Sequence, residues 1–226
     1  MTRQIVCFTF AWLATSAAVA DTFTAEHLVQ IDRVGAPAVS PAGDLIVYAV
    51  RHTDMDADKG RYDLWLSTID GSAPRKLTTH DANDTSPAWS PDGRSILFLS
   101  SRGESTQVWR LPVNGGEAQP VTDLPLDVGT FRLSPTGDRL VVSLSVYPDC
   151  DDLECTADRI AETVDDKVTA QRYDRLFMRH WDYWLDDRRS QLFAIPLDER
   201  GEARGAPVRL SRLDADVPSR VWGGNE

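Results

Sequence analysis

The serines of this chain do not occur in the setting that a hydrolase nucleophile requires. An α/β-hydrolase holds its serine in a Gly-x-Ser-x-Gly string, because the nucleophile must sit on a strained turn beside its oxyanion donors. The nearest string, residues 93–97, reads Gly-Arg-Ser-Ile-Leu, so it lacks the second glycine and opens an apolar run. The chain has four histidines, His27, His52, His80 and His180, and the sequence does not establish a nucleophile as the partner of any of them. We therefore expect no catalytic residue in this chain.

Alternating carboxylates between Asp54 and Gly60 could offer oxygen ligands to a hard cation such as calcium. A calcium loop needs glycine at its sixth position and glutamate at its twelfth, and this chain has Lys59 and Trp65 there. The residue types therefore favour an ordinary solvated loop. We expect no metal and no other cofactor.

Two cysteines lie close together in an acidic string, Cys150 and Cys155. In an oxidising compartment such a pair is predicted to form a disulfide. The alternative is a zinc site, which needs about four ligands, and no histidine or further cysteine lies within about twenty residues. The spacing favours the disulfide.

The densest group of aromatic and charged residues runs from Tyr173 to Trp184. Cationic side chains between aromatic rings could form the wall of a ligand site. The candidate contacts in this segment are Arg179, His180 and Trp181. The residue types favour the alternative, in which the rings anchor the segment to a neighbouring sheet while Arg179 pairs with an acid.

The elements that must position these residues come in three copies. Each copy contains Ser-Pro-x-Gly, at residues 40–43, 90–93 and 134–137, so the copies start 50 and 44 residues apart. That period is typical of propeller blades. Proline fixes φ and glycine can take a positive φ, so each string predicts a tight turn between two strands.

Four predicted strands per copy match the pattern of a propeller blade. We place the three blade units at about 36–80, 86–124 and 129–211, within a domain spanning 21–226. A propeller has about four to eight blades, so the chain resembles part of a longer protein, with a fourth blade starting at Val217. The predicted fold class is all-β, a partial β-propeller of about three four-stranded blades. A free-standing β-sandwich is the alternative.

The third unit is interrupted by an insertion at 147–189. From Thr156 onward its residues favour helix, with Thr156 or Asp158 as the predicted N-cap. Apolar residues near helical spacing predict a stripe that packs on a surface, namely Ile160, Val164, Val168 and Tyr173.

The first twenty residues have the pattern of a secretory signal peptide. Arg3 precedes the apolar run 5–14, and the small residues 17–20 end in an Ala-x-Ala cleavage site after Ala20. A membrane anchor is the alternative, but the run is shorter than the roughly 20 residues that a spanning helix needs. We predict a periplasmic or secreted protein without stable membrane insertion after cleavage.

Charge excludes one class of partner. The whole chain carries a formal net charge of −11, and removal of residues 1–20 would leave 23 basic against 35 acidic side chains. Nucleic-acid binders carry clustered Lys and Arg, so no nucleic-acid partner is expected.

Four strings resemble the N-terminal propeller of the prolyl oligopeptidase family of serine peptidases, in its acylaminoacyl-peptidase and dipeptidyl-peptidase-like branch. They are Ser-Pro-Ala-Trp-Ser-Pro-Asp-Gly-Arg (86–94), Phe-Leu-Ser-Ser-Arg (98–102), Gln-Val-Trp (107–109) and Arg-His-Trp-Asp (179–182). The resemblance covers about residues 22–226. TolB-type propellers share the Ser-Pro-Asp-Gly repeat, so a non-enzymatic periplasmic protein-binding module is the alternative.

The resemblance implies that a propeller of this kind covers the active site of an α/β-hydrolase domain and restricts entry to short peptides. No residue here matches that domain's Ser, Asp or His, so the chain alone is expected to be inactive. The implied partners are peptide substrates, reached through the missing hydrolase domain. Some members bind the peptide amino terminus with acidic propeller residues, for which Glu154 and Glu162 are the candidates.

Overall fold

The computed structural model describes residues 22–165, 179–180, 183–184 and 186–218. The predicted signal peptide, Trp181 and residues 219–226 of the predicted fourth blade lie outside this range. No helix in the described part is long and apolar enough to cross a membrane. The described chain is mainly antiparallel β-structure with two helices, α1 (Ala25–Gln30) and α2 (Leu153–Asp165).

Three antiparallel sheets follow one another along the chain, as the repeats predict. The first contains β1 (Arg33–Val34), β2 (Ala38–Val39), β3 (Leu45–Asp54), β4 (Lys59–Thr68) and β5 (Arg75–Lys76). The second contains β6 (Asp84–Trp89), β7 (Ser95–Ser100), β8 (Gln107–Pro112) and β9 (Gln119–Pro120). The third contains β10 (Val128–Leu133), β11 (Arg139–Val146), β14 (Arg189–Pro196) and β15 (Val208–Arg209), with the short pair β12 (Arg179–His180) and β13 (Tyr183–Trp184) inserted. The predicted partial-propeller fold is confirmed, and the sheets of the described residues do not close into a ring.

Each Ser-Pro-x-Gly string forms the predicted turn between two consecutive strands of its sheet, namely β2 and β3, β6 and β7, and β10 and β11. In the second sheet, Gly93 donates its N–H to the Ser90 carbonyl at 2.9 Å and has a φ of +68°. The Ser90 hydroxyl accepts the N–H of Ser95 at 2.9 Å, which ties the turn to the next strand. The same bonds recur around Ser40 and Ser134, so the repeat sequence encodes one local structure three times.

The core lies between the sheets rather than within any one of them. Alternate side chains of β7 point to opposite neighbours, because successive residues of a strand face opposite sides. Ile96 and Phe98 pack against the first sheet, whereas Leu97 and Leu99 pack against the third. Each sheet is therefore stable only against a neighbour, as expected for stacked repeats.

The segment that follows each sheet supplies side chains that bond to the backbone of β4, β8 or β14, which we call the third strand of its blade. The hydroxyls of Thr78, Thr122 and Ser211 accept backbone N–H groups of β4, β8 and β14 at 2.9–3.0 Å. Closer to the next unit, the side chains of Asn83, Asp127 and Asp216 accept further N–H groups at or beside the same strands, at 2.6–3.0 Å. Adjacent units are therefore joined by hydrogen bonds as well as by apolar packing.

The start of α2 differs from the prediction. The helix begins at Leu153, and the Asp152 side chain accepts the N–H of Cys155 at 2.8 Å. The predicted N-caps Thr156 and Asp158 are wrong, because Asp152 accepts a free N–H of the first turn, one turn earlier. Thr156 is instead buried inside the helix, and its hydroxyl accepts the N–H of Tyr147.

The predicted apolar stripe of this helix is confirmed at Ile160, which packs against the core together with Ala157. The side chain of Val164 lies outside the described residues, as do Val168 and Tyr173.

The turn after β4 should make stability depend on pH in the acid range. Hydrogen bonds from the Thr68 hydroxyl, and from the backbone N–H and hydroxyl of Ser72, lower the pKa of Asp70 to about 2. A depressed carboxyl pKa adds stability that is fully present above the unfolded value near 4 and is lost as pH falls towards 2. We expect Asp70→Asn to reduce the urea midpoint at pH 7 but hardly at pH 2. Parallel pH profiles for the variant and the wild type would contradict this.

Candidate functional site

A cleft of about 740 Å³ lies between the second and third sheets, beside the start of α2. One wall is the end of the second sheet and the segment after it, residues 120–125. The opposite wall is formed by the outer part of the third sheet. The apolar part of the lining includes Leu124, Leu153, Phe193 and Ile195. A concave surface that combines apolar side chains with polar groups can bind a ligand.

A disulfide joins Cys150 to Cys155, which flank the cleft-lining residues 151–154, with an S–S distance of 2.02 Å. The predicted bond is therefore confirmed. A bidentate pair between Asp149 and Arg159, with both N–O distances at 3.0 Å, joins the same loop to α2. Arg159 lowers the pKa of the Asp149 carboxyl by hydrogen bonding. The first turn of α2 is thus fixed by a covalent bond and an ion pair.

Arg209 connects the third sheet to the disulfide loop. Its Nη1 donates to the Cys150 carbonyl and its Nε to the Ser211 carbonyl, each at 2.9 Å. Burial lowers the pKa of Arg209, and the nearby Arg212 acts in the same direction. Its Nη2 is buried and has no hydrogen-bond partner among the residues that the structure describes. The guanidinium therefore links the third sheet to the loop that carries the disulfide, and stabilises this wall of the cleft.

Carboxylates dominate the charge of the lining. Asp151 pairs with Arg212 at 3.0 Å, and Asp152 caps α2. Three further acidic side chains line the cleft, namely Asp123, Glu154 and Glu202. None of them has an ion-pair partner within the described ranges. A cleft that carries several carboxylates beside apolar side chains can bind a cationic or amino group without covalent chemistry. Within the described part of the chain, no group of three or more His, Cys, Asp or Glu residues could hold a metal ion.

The predicted site residues do not all meet. Glu154 lies in the first turn of α2 and lines the cleft, whereas the exposed Glu162 lies eight residues further along the helix and outside the lining. Arg179 and His180 form β12, paired with β13, and their side chains lie outside the described residues together with Trp181. Sequence reasoning missed Arg209 and Phe193 as parts of this wall. Neither belongs to a motif, and both reach the cleft only through sheet pairing.

The structure and sequence resemble several known proteins. The family model described as the TolB beta propeller domain matches residues 16–149. Dipeptidyl-peptidase 5 of Porphyromonas gingivalis is 29% identical over 100% of this chain and 33% of its own length. The uncharacterized peptidase YuxL of Bacillus subtilis is 32% identical over 54% of this chain and 19% of its own length. The chain therefore spans a third or less of these curated relatives.

Solved structures share the fold at low sequence identity. An acylaminoacyl peptidase of Pyrococcus horikoshii superposes with a TM-score of 0.52 and 15% identity, covering 82% of this chain and 26% of that one. The isopeptidase AtxE2 superposes with a TM-score of 0.55 and 19% identity, covering 81% of this chain and 32% of that one. At these identities the likeness concerns the fold.

Proposed function

The chain belongs to the TolB β-propeller domain family, and from that premise we propose that it is the N-terminal propeller of an exported serine peptidase, gating peptide entry to a hydrolase domain. The observation that carries the proposal is the match to dipeptidyl-peptidase 5, which runs through the whole chain and accounts for a third of that relative. In this proposal the propeller binds the peptide and controls its access to the active site, and the hydrolase domain supplies the nucleophile.

The cleft supports a role in substrate binding. Glu154 has no ion-pair partner among the described residues, and the disulfide and the Arg159 pair fix the helical turn that carries it. A fixed carboxylate can recognise the amino terminus of a peptide through charge-assisted hydrogen bonds. In this proposal Glu154 makes that contact, and Arg179, His180 and Trp181 are further candidates for contacting the peptide.

Two observations support export. The first twenty residues have the composition of a cleavable secretory signal. The Cys150–Cys155 disulfide belongs to an oxidising compartment such as the periplasm. The proposed location is therefore periplasmic or extracellular.

A second function is favoured by the family model itself, which describes a TolB propeller and names no enzyme. In that case the chain is part of a non-enzymatic module that binds another protein. The coding DNA after Glu226 separates the two. A Gly-x-Ser-x-Gly codon string downstream in frame supports the peptidase, and further Ser-Pro-x-Gly repeats followed by a stop codon support the binding module.

The activity test compares the 226-residue chain with the product of the continued reading frame. The longer product should release dipeptides from chromogenic dipeptidyl substrates, and a serine-directed inhibitor should abolish the release. The chain alone should release none. Inhibitor-sensitive cleavage by the chain alone would overturn the proposal, and so would a longer product without activity.

Glu154→Gln in that longer product tests the binding role. Loss of a charge-assisted hydrogen bond costs about 1.5–3 kcal/mol, so KM should rise roughly 10- to 100-fold while kcat stays unchanged. Glu162→Gln is the matched control and should leave KM unchanged. An equal KM increase for both variants, or no increase for Glu154→Gln, would show that the cleft does not recognise the amino terminus.

A further inference from the structure

The disulfide closes one short segment of the cleft wall and does not join the sheets to each other. Cys150 lies in the loop between β11 and α2, and Cys155 lies in the first turn of α2. The residues between them, 151–154, all line the cleft. Breaking this bond would therefore leave the strand pairing of the three sheets in place and release a piece of the cleft wall.

The other contacts on the outer side of this segment are weak. Asp151 pairs with Arg212 at 3.0 Å, but the two side chains are 87% and 58% exposed, so water and salt screen the pair. Asp152 is also exposed and caps α2 through the N–H of Cys155. Glu154 has no ion-pair partner among the described residues. The disulfide is therefore the main restraint on the outer side of the turn that carries Glu154.

The inner side of the same region would stay packed without the bond. Leu153 lies in the core cluster, and Thr156 is fully buried one turn further along the helix. Arg209 holds the carbonyl of Cys150 at 2.9 Å. Reduction would thus leave α2 packed on the core while the backbone around Glu154 becomes free to fray.

The two sulfurs differ in their access to a reductant. Cys150 is 1% exposed, whereas Cys155 is partly exposed. A thiolate of a dithiol reductant would attack the sulfur of Cys155, which breaks the S–S bond and releases Cys150 as a thiolate that takes a proton. The second thiol of the reductant then attacks the mixed disulfide and releases Cys155 as a thiol. The protein disulfide gains two electrons and two protons, and the dithiol is oxidised to a disulfide.

We propose that the Cys150–Cys155 bond is a redox switch for the cleft, which binds peptide strongly in the oxidised protein and weakly after reduction by a dithiol. The oxidised turn holds the Glu154 carboxylate in place before the peptide arrives, and such preorganisation raises affinity. Binding to the reduced protein must also order the turn, which lowers affinity because conformational entropy is lost. This inference rests on the proposed role of Glu154, but its first test needs no peptidase activity.

Hydrogen exchange of the 226-residue chain, exported so that the disulfide forms, tests the structural part. After treatment with dithiothreitol, the amide N–H groups of residues 155–158 should exchange at least about 10-fold faster, because the bond no longer limits local opening. The central strands β7 and β11 are the internal control and should exchange at unchanged rates. The double variant Cys150→Ala with Cys155→Ala should exchange like the reduced chain, with or without dithiothreitol.

Kinetics of the product of the continued reading frame test the functional part. With a chromogenic dipeptidyl substrate, reduction should raise KM at least about 5-fold, and by no more than Glu154→Gln does. Reoxidation should restore the original KM. Reduction of the Glu154→Gln variant should add little, because both changes act through the same carboxylate. The cysteine double variant should have a raised KM that does not respond to dithiothreitol.

Unchanged exchange at residues 155–158 after reduction would overturn the switch, whatever the kinetics show. Faster exchange with an unchanged KM would also overturn it and would leave the proposed peptidase function standing. A response of the double variant to dithiothreitol would assign the effect to another cysteine and overturn the role of this bond. An oxidised longer product without activity would overturn the proposed function, while the exchange result would still decide whether the bond controls the turn.

Discussion

Replacing Asp84 with alanine should lower the free energy of unfolding by about 3–5 kcal/mol, measured by urea unfolding at pH 7. The Asp84 side chain is fully buried, and both of its oxygens accept from Arg102 Nη2, at 2.7 and 2.9 Å. Arg102 is 12% exposed and lies over the rings of Phe98 and Trp109. Without the carboxylate, the guanidinium would remain in this desolvated position unpaired, which is the main cost.

An exposed ion pair provides the matched control. Asp81 pairs with Arg61 at 2.8 Å but is 95% exposed, so Asp81→Ala should cost less than about 1 kcal/mol. Adding Arg102→Met to Asp84→Ala should recover at least half of the loss, because the second change removes the unpaired charge. If the double variant were no more stable than Asp84→Ala, the cost would not lie in the unpaired guanidinium.

Phe98→Ala should cost a similar amount, about 3–5 kcal/mol, because it opens a cavity at a junction between sheets. Phe98 is fully buried in the cluster that the first and second sheets share. Its ring also contacts the Arg102 guanidinium, 5.3 Å from the ring centroid, so its effect will not add simply to that of Asp84→Ala. Urea unfolding followed by tryptophan fluorescence measures the loss.

Repeat symmetry again supplies the control. Tyr48 lies opposite Trp65 in the first sheet as Phe98 lies opposite Trp109 in the second. Tyr48 is only partly buried, because its side chain lies on the outer side of the first sheet, opposite to Val47 and Ala49, which pack against the second sheet. Tyr48→Ala should therefore cost less than about 2 kcal/mol. Equal losses for the two variants would show that burial at the junction is not what distinguishes the two positions.

The fold was predictable from sequence because its information is local and repeated. Ser-Pro-x-Gly specifies the turn through the backbone preferences of two residues, and three copies at blade spacing specify the architecture. The match to the TolB propeller and to peptidase relatives confirms the resemblance that the same strings indicate. The disulfide was predictable from close spacing in a compartment that permits it.

The candidate site was less predictable because its parts come together only in the folded chain. Arg209 bonds to the carbonyl of Cys150, 59 residues away, and no motif marks either partner. Asp84 and Arg102 pair across 18 residues with nothing local to signal it. Helix propensity predicts a start near residue 156, whereas the side chain of Asp152 accepts the N–H of Cys155 and lets α2 begin one turn earlier.

The bonds that complete each third strand also have a consequence for biosynthesis. The N–H of Tyr62 in β4 bonds to the side chain of Asn83, and the N–H of Ser190 in β14 bonds to that of Asp216. A sheet that folds while the chain emerges N-terminus first, during synthesis or export, therefore lacks its last hydrogen bonds until the start of the following unit has also emerged. Emerging chains of this type should mature one unit behind the point of emergence, so a pause at a unit boundary would expose an unfinished strand.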